Sequence, residues 1–197
     1  MELLVPFILA SGSPRRNHLL TVTGFRFTVT PPDVDESVIK GESAEEMVTR
    51  LALEKGIVVS HQHPEALVLS ADTCVVLQGE ILGKPASHDE ACDMLRRLSG
   101  RRHIVHTGIA LVHKQSGRSV RRVETTAVDF APLSEAELRS YVEGGSPMDK
   151  AGGYGIQDDS GAFFVQGIEG DFYNVMGLPL RLLYVTLKSD FKDLIAG

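Results

Sequence analysis

Two serines and two arginines stand together in the segment 11–16, which reads SGSPRR and follows the apolar run 7–10. This pattern predicts a strand, a tight turn and a helix, with Ser13 as the N-cap and Pro14 at the first helical position. The free N–H groups and the positive end of the helix dipole would then face an anion, and guanidinium groups match phosphate oxygens in geometry. These six residues alone fit a phosphate site and a capped helix with solvated arginines equally well. Their spacing is neither that of a P-loop nor that of a dinucleotide-binding glycine motif.

A single acid, Asp72, interrupts the apolar stretch 66–77. The stretch predicts a strand buried on both faces, in two parts separated by residues 70–73. Burying a carboxylate without partners is costly, which makes Asp72 a candidate for chemistry. The turn after this stretch predicts a hairpin that would bring Lys84 back towards Asp72, and a structural ion pair would satisfy that geometry too.

The segment 149–157, DKAGGYGIQ, combines three glycines with an acid, a base, an aromatic ring and an amide. Glycines allow a backbone to approach a ligand closely, so the segment is a candidate binding loop. An ordinary mobile loop is the alternative.

Composition restricts the class of protein. A chain of 197 residues with 43% hydrophobic residues suits one domain, or one domain with two lobes. The net charge of −6 argues against a nucleic-acid-binding surface, although a small anionic ligand needs only a local basic cleft. Cys74 and Cys92 lack metal-binding or disulfide spacing, which favours a reducing compartment and a core role for both. The sequence shows no signal peptide and no membrane-spanning run, so we expect a cytoplasmic protein without a membrane partner.

The remaining pattern predicts a mixed α/β order of elements, with long antiparallel pairs beside a parallel strand–helix start. Capping residues Ser43, Ser87 and Ser134 predict three helices, the first of which runs to about Val58. The other expected elements are a short strand at 25–29, paired strands at 103–112 and 120–130, a hairpin of 162–165 with 172–175, and a last helix at 179–187.

Several short polar or glycine-containing segments follow one another along the chain. They are SGSPRR at 11–16, DES at 35–37, SADT at 70–73, GKP at 83–85, DKAGGYGIQ at 149–157, GDFYNV at 170–175 and GLPL at 177–180. In this order they resemble the motifs of the Maf family of nucleoside triphosphate pyrophosphatases. The resemblance runs from Leu9 to about Leu187 and depends on the order of its motifs, since each motif alone is weak.

The resemblance implies one domain over residues 1–197 with an elongated, two-lobed α/β fold similar to that of the inosine triphosphate pyrophosphatases. In such a fold a mixed sheet with flanking helices surrounds a central nucleotide cleft, and homodimers are frequent. It also implies hydrolysis of a nucleoside triphosphate between the α and β phosphates, with a divalent cation, Mg²⁺ or Mn²⁺. The YGIQ segment at 154–157 resembles the dTTP/UTP branch rather than the 7-methyl-GTP branch.

Matching positions carry the family's functional residues onto this sequence. Asp72 corresponds to the proposed proton acceptor, and Arg15, Thr73 and Gln157 correspond to positions tied to base choice. Further substrate-binding positions of the cleft match Ser11, Arg16, Glu36, Lys55, Lys84 and Lys150.

The residue types suit this chemistry. Arginines and lysines at positions 15, 16, 55 and 84 would neutralise a triphosphate and the leaving pyrophosphate. Glu36 and Asp72 offer hard oxygens for Mg²⁺ or Mn²⁺. Because an aspartate is a weak base at neutral pH, either its apolar strand or a metal ion must help Asp72 to activate water, and nearby lysines favour the metal. Gln157 has the donor and the acceptor needed to read a pyrimidine edge.

Two departures from the branch concern the base-reading loop. Gly153 stands where a small residue, often alanine, is usual, and Asp158-Asp159 follows Gln157 where glycine is common. The added negative charge would either alter base preference or face solvent. The resemblance also implies two alternative functions: a house-cleaning triphosphatase for inosine, xanthosine or modified pyrimidine nucleotides, and a nucleotide-binding regulator of cell division or septum formation.

Overall fold

The computed structural model describes residues 1–158 and 160–196, with the backbone alone at Ser146. Seven strands form one sheet in the order β2-β1-β3-β5-β6-β7, with β4 paired to β3. The strands are β1 Phe7–Ala10, β2 Thr28–Val29, β3 Leu67–Leu77, β4 Glu80–Leu82, β5 Arg102–His113, β6 Arg118–Phe130 and β7 Val165–Glu169. The α-helices are α1 Pro14–Val22, α2 Ala44–Gln62, α3 His88–Leu98, α4 Glu135–Glu143, α5 Phe172–Met176 and α6 Leu180–Asp190.

The sheet is mixed, as the sequence predicts. Strand β1 pairs in parallel with both β2 and β3, whereas β4 is antiparallel to β3 and β7 is antiparallel to β6. Short 3₁₀ turns occupy Lys114–Ser116, Ser146–Asp149, Ala151–Gly153, Gly161–Phe164 and Lys192–Leu194. Within the described residues, no helix combines the length and the apolar character that crossing a membrane requires.

The chain divides into two compact units. Unit 1 contains Met1–Asp72, Thr107–Glu124 and the residues from Gly177 onward, and unit 2 contains Thr73–His106 and Thr125–Met176. That these units form a single domain stays a prediction.

Unit 1 has an apolar core between its strands and α2. All four residues of β1 are buried, and Ile8 and Val68 form one cluster with Val59 of α2. The hydroxyl of Ser70 on β3 donates to the carbonyl of Ala52 on α2 over 2.6 Å, which fixes the helix against the strand.

Unit 2 has an aromatic core. The rings of His103, Phe130 and Tyr154 pack edge to face, with centroids 4.8 to 5.5 Å apart. Phe164 continues this cluster, lying 5.9 Å from Phe130 and 5.0 Å from Tyr141 of α4. The aromatic rings therefore lie beside the glycine-rich segment that the sequence identifies as a candidate loop.

Most predicted elements are present, with shifted ends. Ser43, Ser87 and Ser134 are the N-caps of α2, α3 and α4, each accepting a backbone N–H three residues on. Helix α2 runs to Gln62 rather than Val58, and strand β2 contains only residues 28–29 of the expected 25–29. Strand β3 is continuous through Asp72, whereas the sequence predicts a break there.

The hairpin expected from residues 162–165 and 172–175 is wrong. Residues 161–164 form a 3₁₀ turn, and the segment after Asp171 is the helix α5. Asp171 accepts from the backbone N–H of Asn174 over 3.0 Å, as an N-terminal cap does. The buried amide of Asn174 donates to Thr126 and to the carbonyl of Val105, so local capping and these long-range bonds override the strand propensity of the aromatic residues.

Candidate functional site

The segment SGSPRR forms the predicted strand end, turn and helix start. Ser13 caps α1 by accepting from the backbone N–H of Arg16 over 3.5 Å, and Pro14 is the first helical residue. Arg16 donates from Nη1 to the buried Ser11 hydroxyl over 3.3 Å and from Nε to the carbonyl of Gly177 over 2.8 Å. These bonds fix the guanidinium group of Arg16 at the start of α1.

The electrostatic environment of Arg16 combines burial with charges of both signs. Burial lowers the pKa of Arg16 and is the largest effect, while the charges of Asp72 and Glu36 raise it and that of Arg15 lowers it. A guanidinium group that has lost part of its hydration interacts more strongly with an anion than a solvated one. The pairing of Arg15 and Arg16 thus creates a local cationic site in a chain whose net charge is negative.

Two acidic side chains of unit 1 converge on one lysine. Lys55 on α2 is 7% exposed, and its Nζ lies 2.6 Å from Asp72 Oδ1 and 2.7 Å from Glu36 Oε1. The Asp72 side chain is 13% exposed, so β3 presents its carboxylate at the margin of the core. Lys55 is therefore the charged partner that a carboxylate on a largely buried strand needs.

These two carboxylates suit a hard divalent cation. The Glu36 and Asp72 oxygens already lie around one cation, the ammonium group of Lys55. Among the described residues, no group of three or more histidine, cysteine, aspartate or glutamate side chains could hold a metal ion. Mg²⁺ is commonly bound by one or two carboxylates together with substrate phosphates and water, and Glu36 and Asp72 are carboxylates of this kind.

In unit 2, Lys150 and Gln157 meet at a residue outside the predicted set. Asp158 Oδ1 accepts from Gln157 Nε2 over 2.9 Å, and Asp158 Oδ2 lies 3.3 Å from Lys150 Nζ. Lys150 is buried, and its Nζ also contacts Asp149 Oδ1 at 2.8 Å. The carboxylate of Asp158 thus links the two candidate site residues.

Tyr141 holds Asp158 from the other side. Its hydroxyl donates to Asp158 Oδ2 over 2.8 Å and accepts from the backbone N–H of Gly155 over 3.0 Å. A Cβ atom at Gly155 would lie 2.6 Å from Asp158 Oδ2, so a glycine is required at this position for the carboxylate to fit. The side chain of Asp158 therefore turns into the loop, and it does not simply face solvent as one of the expectations had it. Asp159 lies outside the described residues.

Two further predicted residues belong to unit 2. Thr73 follows Asp72 within β3 and is half-buried, whereas Lys84 is exposed two residues after the end of β4. The carbonyl of the neighbouring Gly83 accepts from the backbone N–H of Gly152 over 3.0 Å, which joins the GKP segment to the glycine-rich loop. The expected approach of Lys84 to Asp72 stays a prediction.

The sequence did not identify two participants. Tyr141 lies on the buried face of α4 with Leu138 and Val142, and that pattern indicates a core residue only. Gly177 contributes a backbone carbonyl to Arg16, for which side-chain types give no signal. In the sequence, Asp158 stands out only as a departure from the family pattern.

Comparisons with known proteins identify relatives of this chain. A family model described as Maf-like protein matches residues 6–190. A protein of Salinibacter ruber named dTTP/UTP pyrophosphatase is 51% identical over 99% of this chain and 96% of its own. Proteins with the same name are 53% identical in Symbiobacterium thermophilum, over 88% of both chains, and 49% identical in Syntrophus aciditrophicus, over 92% of this chain and 88% of the relative. Because these matches cover nearly the whole chain, we conclude that it belongs to the Maf family.

Proposed function

We propose that the protein is a nucleoside triphosphate pyrophosphatase that hydrolyses dTTP and UTP between the α and β phosphates, releasing a monophosphate and pyrophosphate. The observation that carries the proposal is the charge cluster of unit 1, in which Asp72 pairs with Lys55 over 2.6 Å and the Asp72 charge also acts on Arg16 of α1. The names of the relatives in three bacteria support the same reaction and the same bases.

The basic residues bind the triphosphate and neutralise its charge. Arg16 and Ser11 are joined by a hydrogen bond, so phosphate oxygens would meet a donor group whose orientation is already fixed. Lys55, Arg15 and Lys84 add positive charge that offsets the charge developing on the leaving pyrophosphate. Lys150, Thr73 and Gln157 act in substrate binding, and Arg15, Thr73 and Gln157 set the base preference.

In the proposed reaction Asp72 receives the proton of the attacking water, and Glu36 and Asp72 would hold Mg²⁺ or Mn²⁺. A bound divalent ion would lower the pKa of coordinated water and neutralise phosphate oxygens. Lys55 holds both carboxylates in place, because its ammonium group binds an oxygen of each. We further propose that the enzyme works in the cytoplasm as a homodimer.

A substrate screen tests the reaction and the base preference together. Pyrophosphate release would be measured from canonical and modified nucleoside triphosphates, each with Mg²⁺ and with Mn²⁺. We expect dTTP and UTP to give the highest kcat/KM values. Purine triphosphates ranking above both would contradict the assignment to the dTTP/UTP branch, and binding without turnover would favour a regulatory protein.

Replacing the proposed proton acceptor tests the mechanism. We expect Asp72→Asn to lower kcat by about 100-fold or more, the usual contribution of a general base, while UTP binding measured by calorimetry is retained. Asp193→Asn is a matched control, because that surface carboxylate pairs with Arg118 over 2.6 Å and has no part in the site. Equal turnover by Asp72→Asn and the wild type would exclude the assigned role.

A further inference from the structure

Gln157 has a side-chain amide with two possible orientations, and only one of them is compatible with its neighbour. The amide is an acceptor at Oε1 and a donor at Nε2, and a rotation of 180° about its last bond exchanges the two. Nε2 lies 2.9 Å from Asp158 Oδ1. A carboxylate oxygen accepts hydrogen bonds and cannot donate one when ionised, so the exchanged orientation would place two acceptors against each other.

The carboxylate of Asp158 is itself fixed. Oδ2 accepts from the Tyr141 hydroxyl over 2.8 Å and lies 3.3 Å from Lys150 Nζ, which leaves Oδ1 directed at Gln157. Tyr141 is 5% exposed and Lys150 is 8% exposed, so both contacts are made away from bulk water. Such contacts resist rearrangement, because a hydrogen bond or charge contact broken away from bulk water is not readily replaced by solvent.

We propose that Asp158 is a specificity-determining positioning residue, which locks the Gln157 amide in one orientation and thereby selects uracil and thymine against cytosine. The proposal depends on the proposed function, since it concerns how the same nucleotide's base is read.

A fixed Gln157 amide distinguishes uracil and thymine from cytosine because these bases present different hydrogen-bonding edges. Uracil and thymine present a carbonyl acceptor beside the N–H donor of the ring, whereas cytosine presents an amino donor beside a ring-nitrogen acceptor. After one N–H of Gln157 is used by Asp158, the amide retains Oε1 and one N–H for the base. A freely rotating amide can serve either edge by exchanging its ends, but a locked amide serves one edge only. The proposed substrates carry uracil or thymine. We therefore take the fixed orientation of Gln157 to be the one in which Oε1 meets the ring N–H and the remaining N–H of Nε2 meets the carbonyl.

Asp158→Asn is the sharpest test, because asparagine keeps the size of the side chain but can both accept from Nε2 and donate to Oε1. Tyr141 and Lys150 require an acceptor on their side, so the new amide directs its Nδ2 donor at Gln157. The variant therefore retains a bond to Gln157 but favours the reversed orientation of its amide. Asp158→Ala removes the bond altogether and carries the test if the asparagine variant does not fold. Asp93→Asn is the matched control, since Asp93 is an exposed carboxylate of unit 2 that pairs with Arg96.

The measurement is kcat/KM for pyrophosphate release from UTP, dTTP and CTP. We expect the UTP/CTP ratio to fall about tenfold or more in Asp158→Asn and Asp158→Ala, with kcat/KM for CTP rising in absolute value. The ratio should stay at the wild-type value in Asp93→Asn. A general loosening of the loop would lower the values for all three substrates and would not raise that for CTP.

The outcomes separate this inference from the proposed function. Variants that lose activity on UTP and CTP in parallel, with the ratio unchanged, would overturn the lock while the wild-type preference for UTP and dTTP still stood. A wild type that releases no pyrophosphate from UTP or dTTP would overturn the proposed function and this inference with it.

Discussion

Lys55 is the residue on which the acidic chemistry of unit 1 depends. Its ammonium group is the shared partner of Asp72 and Glu36, and it is buried on α2 while Glu36 is 52% exposed. Two carboxylates placed around one position repel each other unless a cation lies between them. Lys55 therefore contributes to the stability of the folded chain, in addition to its proposed contact with phosphate.

We expect Lys55→Met to lower the free energy of unfolding by about 2 kcal/mol, less than for a fully buried pair because Glu36 is half exposed. Methionine retains most of the packing of the lysine stem, so the loss reports the charge. Denaturant unfolding monitored by circular dichroism would measure it, with Lys40→Met as the control at an exposed position. If both variants unfolded at the same denaturant concentration as the wild type, the ammonium group would not be stabilising the acids.

At the scale of elements, Gly108 allows α2 to lie against β5 in unit 1. A Cβ atom at this position would meet the carbonyl oxygen of Val48 at 2.4 Å and the nitrogen of Thr49 at 2.8 Å. Both are backbone atoms of α2, which cannot move aside as a side chain can. The position of this helix matters to the site because Lys55 projects from it.

Gly108→Ala should therefore destabilise the protein by about 3 kcal/mol, the upper range for overpacking, and should lower turnover by shifting Lys55. Thermal and denaturant unfolding would measure the change. Gly167→Ala is the control, since a Cβ atom on β7 would have open space around it. The free energy of unfolding of that control should stay within about 0.5 kcal/mol of the wild-type value. If Gly108→Ala were as stable as the wild type, α2 and β5 would be able to move apart without cost.

Local signals predicted the elements well where capping and hydrophobic pattern agree. The serine caps of α1, α2 and α4 are examples, because each cap is recognised within a few residues of sequence. The apolar run of β3 predicts a strand, but not its continuity through Asp72. The segment after Asp171 was misread because the bonds that stabilise α5 reach Thr126 and Val105, far away in the chain.

The same distinction holds for the candidate site. The resemblance to the Maf family implies that Lys55, Glu36 and Asp72 share one site, and the structure brings these three side chains together. No pattern indicated that Tyr141 would orient Asp158, because a tyrosine on the apolar face of a helix looks like any core residue. Side-chain direction within the loop depends on tertiary packing, and sequence spacing alone does not supply it.

At the scale of the whole molecule, a buried histidine couples stability to pH. His103 is 1% exposed within the aromatic core of unit 2, and its Nε2 lies 2.6 Å from the Tyr154 hydroxyl. Its Nδ1 makes no hydrogen bond among the residues that the structure describes. Burial lowers the pKa of His103 from 6.5 to about 4, against a smaller opposing effect of the Asp129 charge.

The unfolded chain takes up a proton at this histidine near its ordinary pKa of 6.5, whereas the folded chain does so only near 4. Between these values the unfolded state binds more protons, so the free energy of unfolding falls as the pH falls. A difference of this size corresponds to about 3 kcal/mol lost between pH 7 and pH 4. Carboxylates that pair with arginine also reduce the free energy of unfolding when they are protonated at low pH. Asp129 is an example, because Arg102 lowers its pKa.

Replacing His103 by a neutral residue separates its contribution from that of the carboxylates. We expect His103→Gln to be less stable than the wild type at pH 7, because the aromatic packing is impaired, but to lose less stability on acidification. Urea unfolding at half-unit steps from pH 7 to pH 4 would give both curves, and the gap between them should narrow by about 3 kcal/mol. His61→Gln, an exposed change on α2, should leave the wild-type slope intact. Parallel curves for His103→Gln and the wild type would show that another group sets the acid limit of the fold.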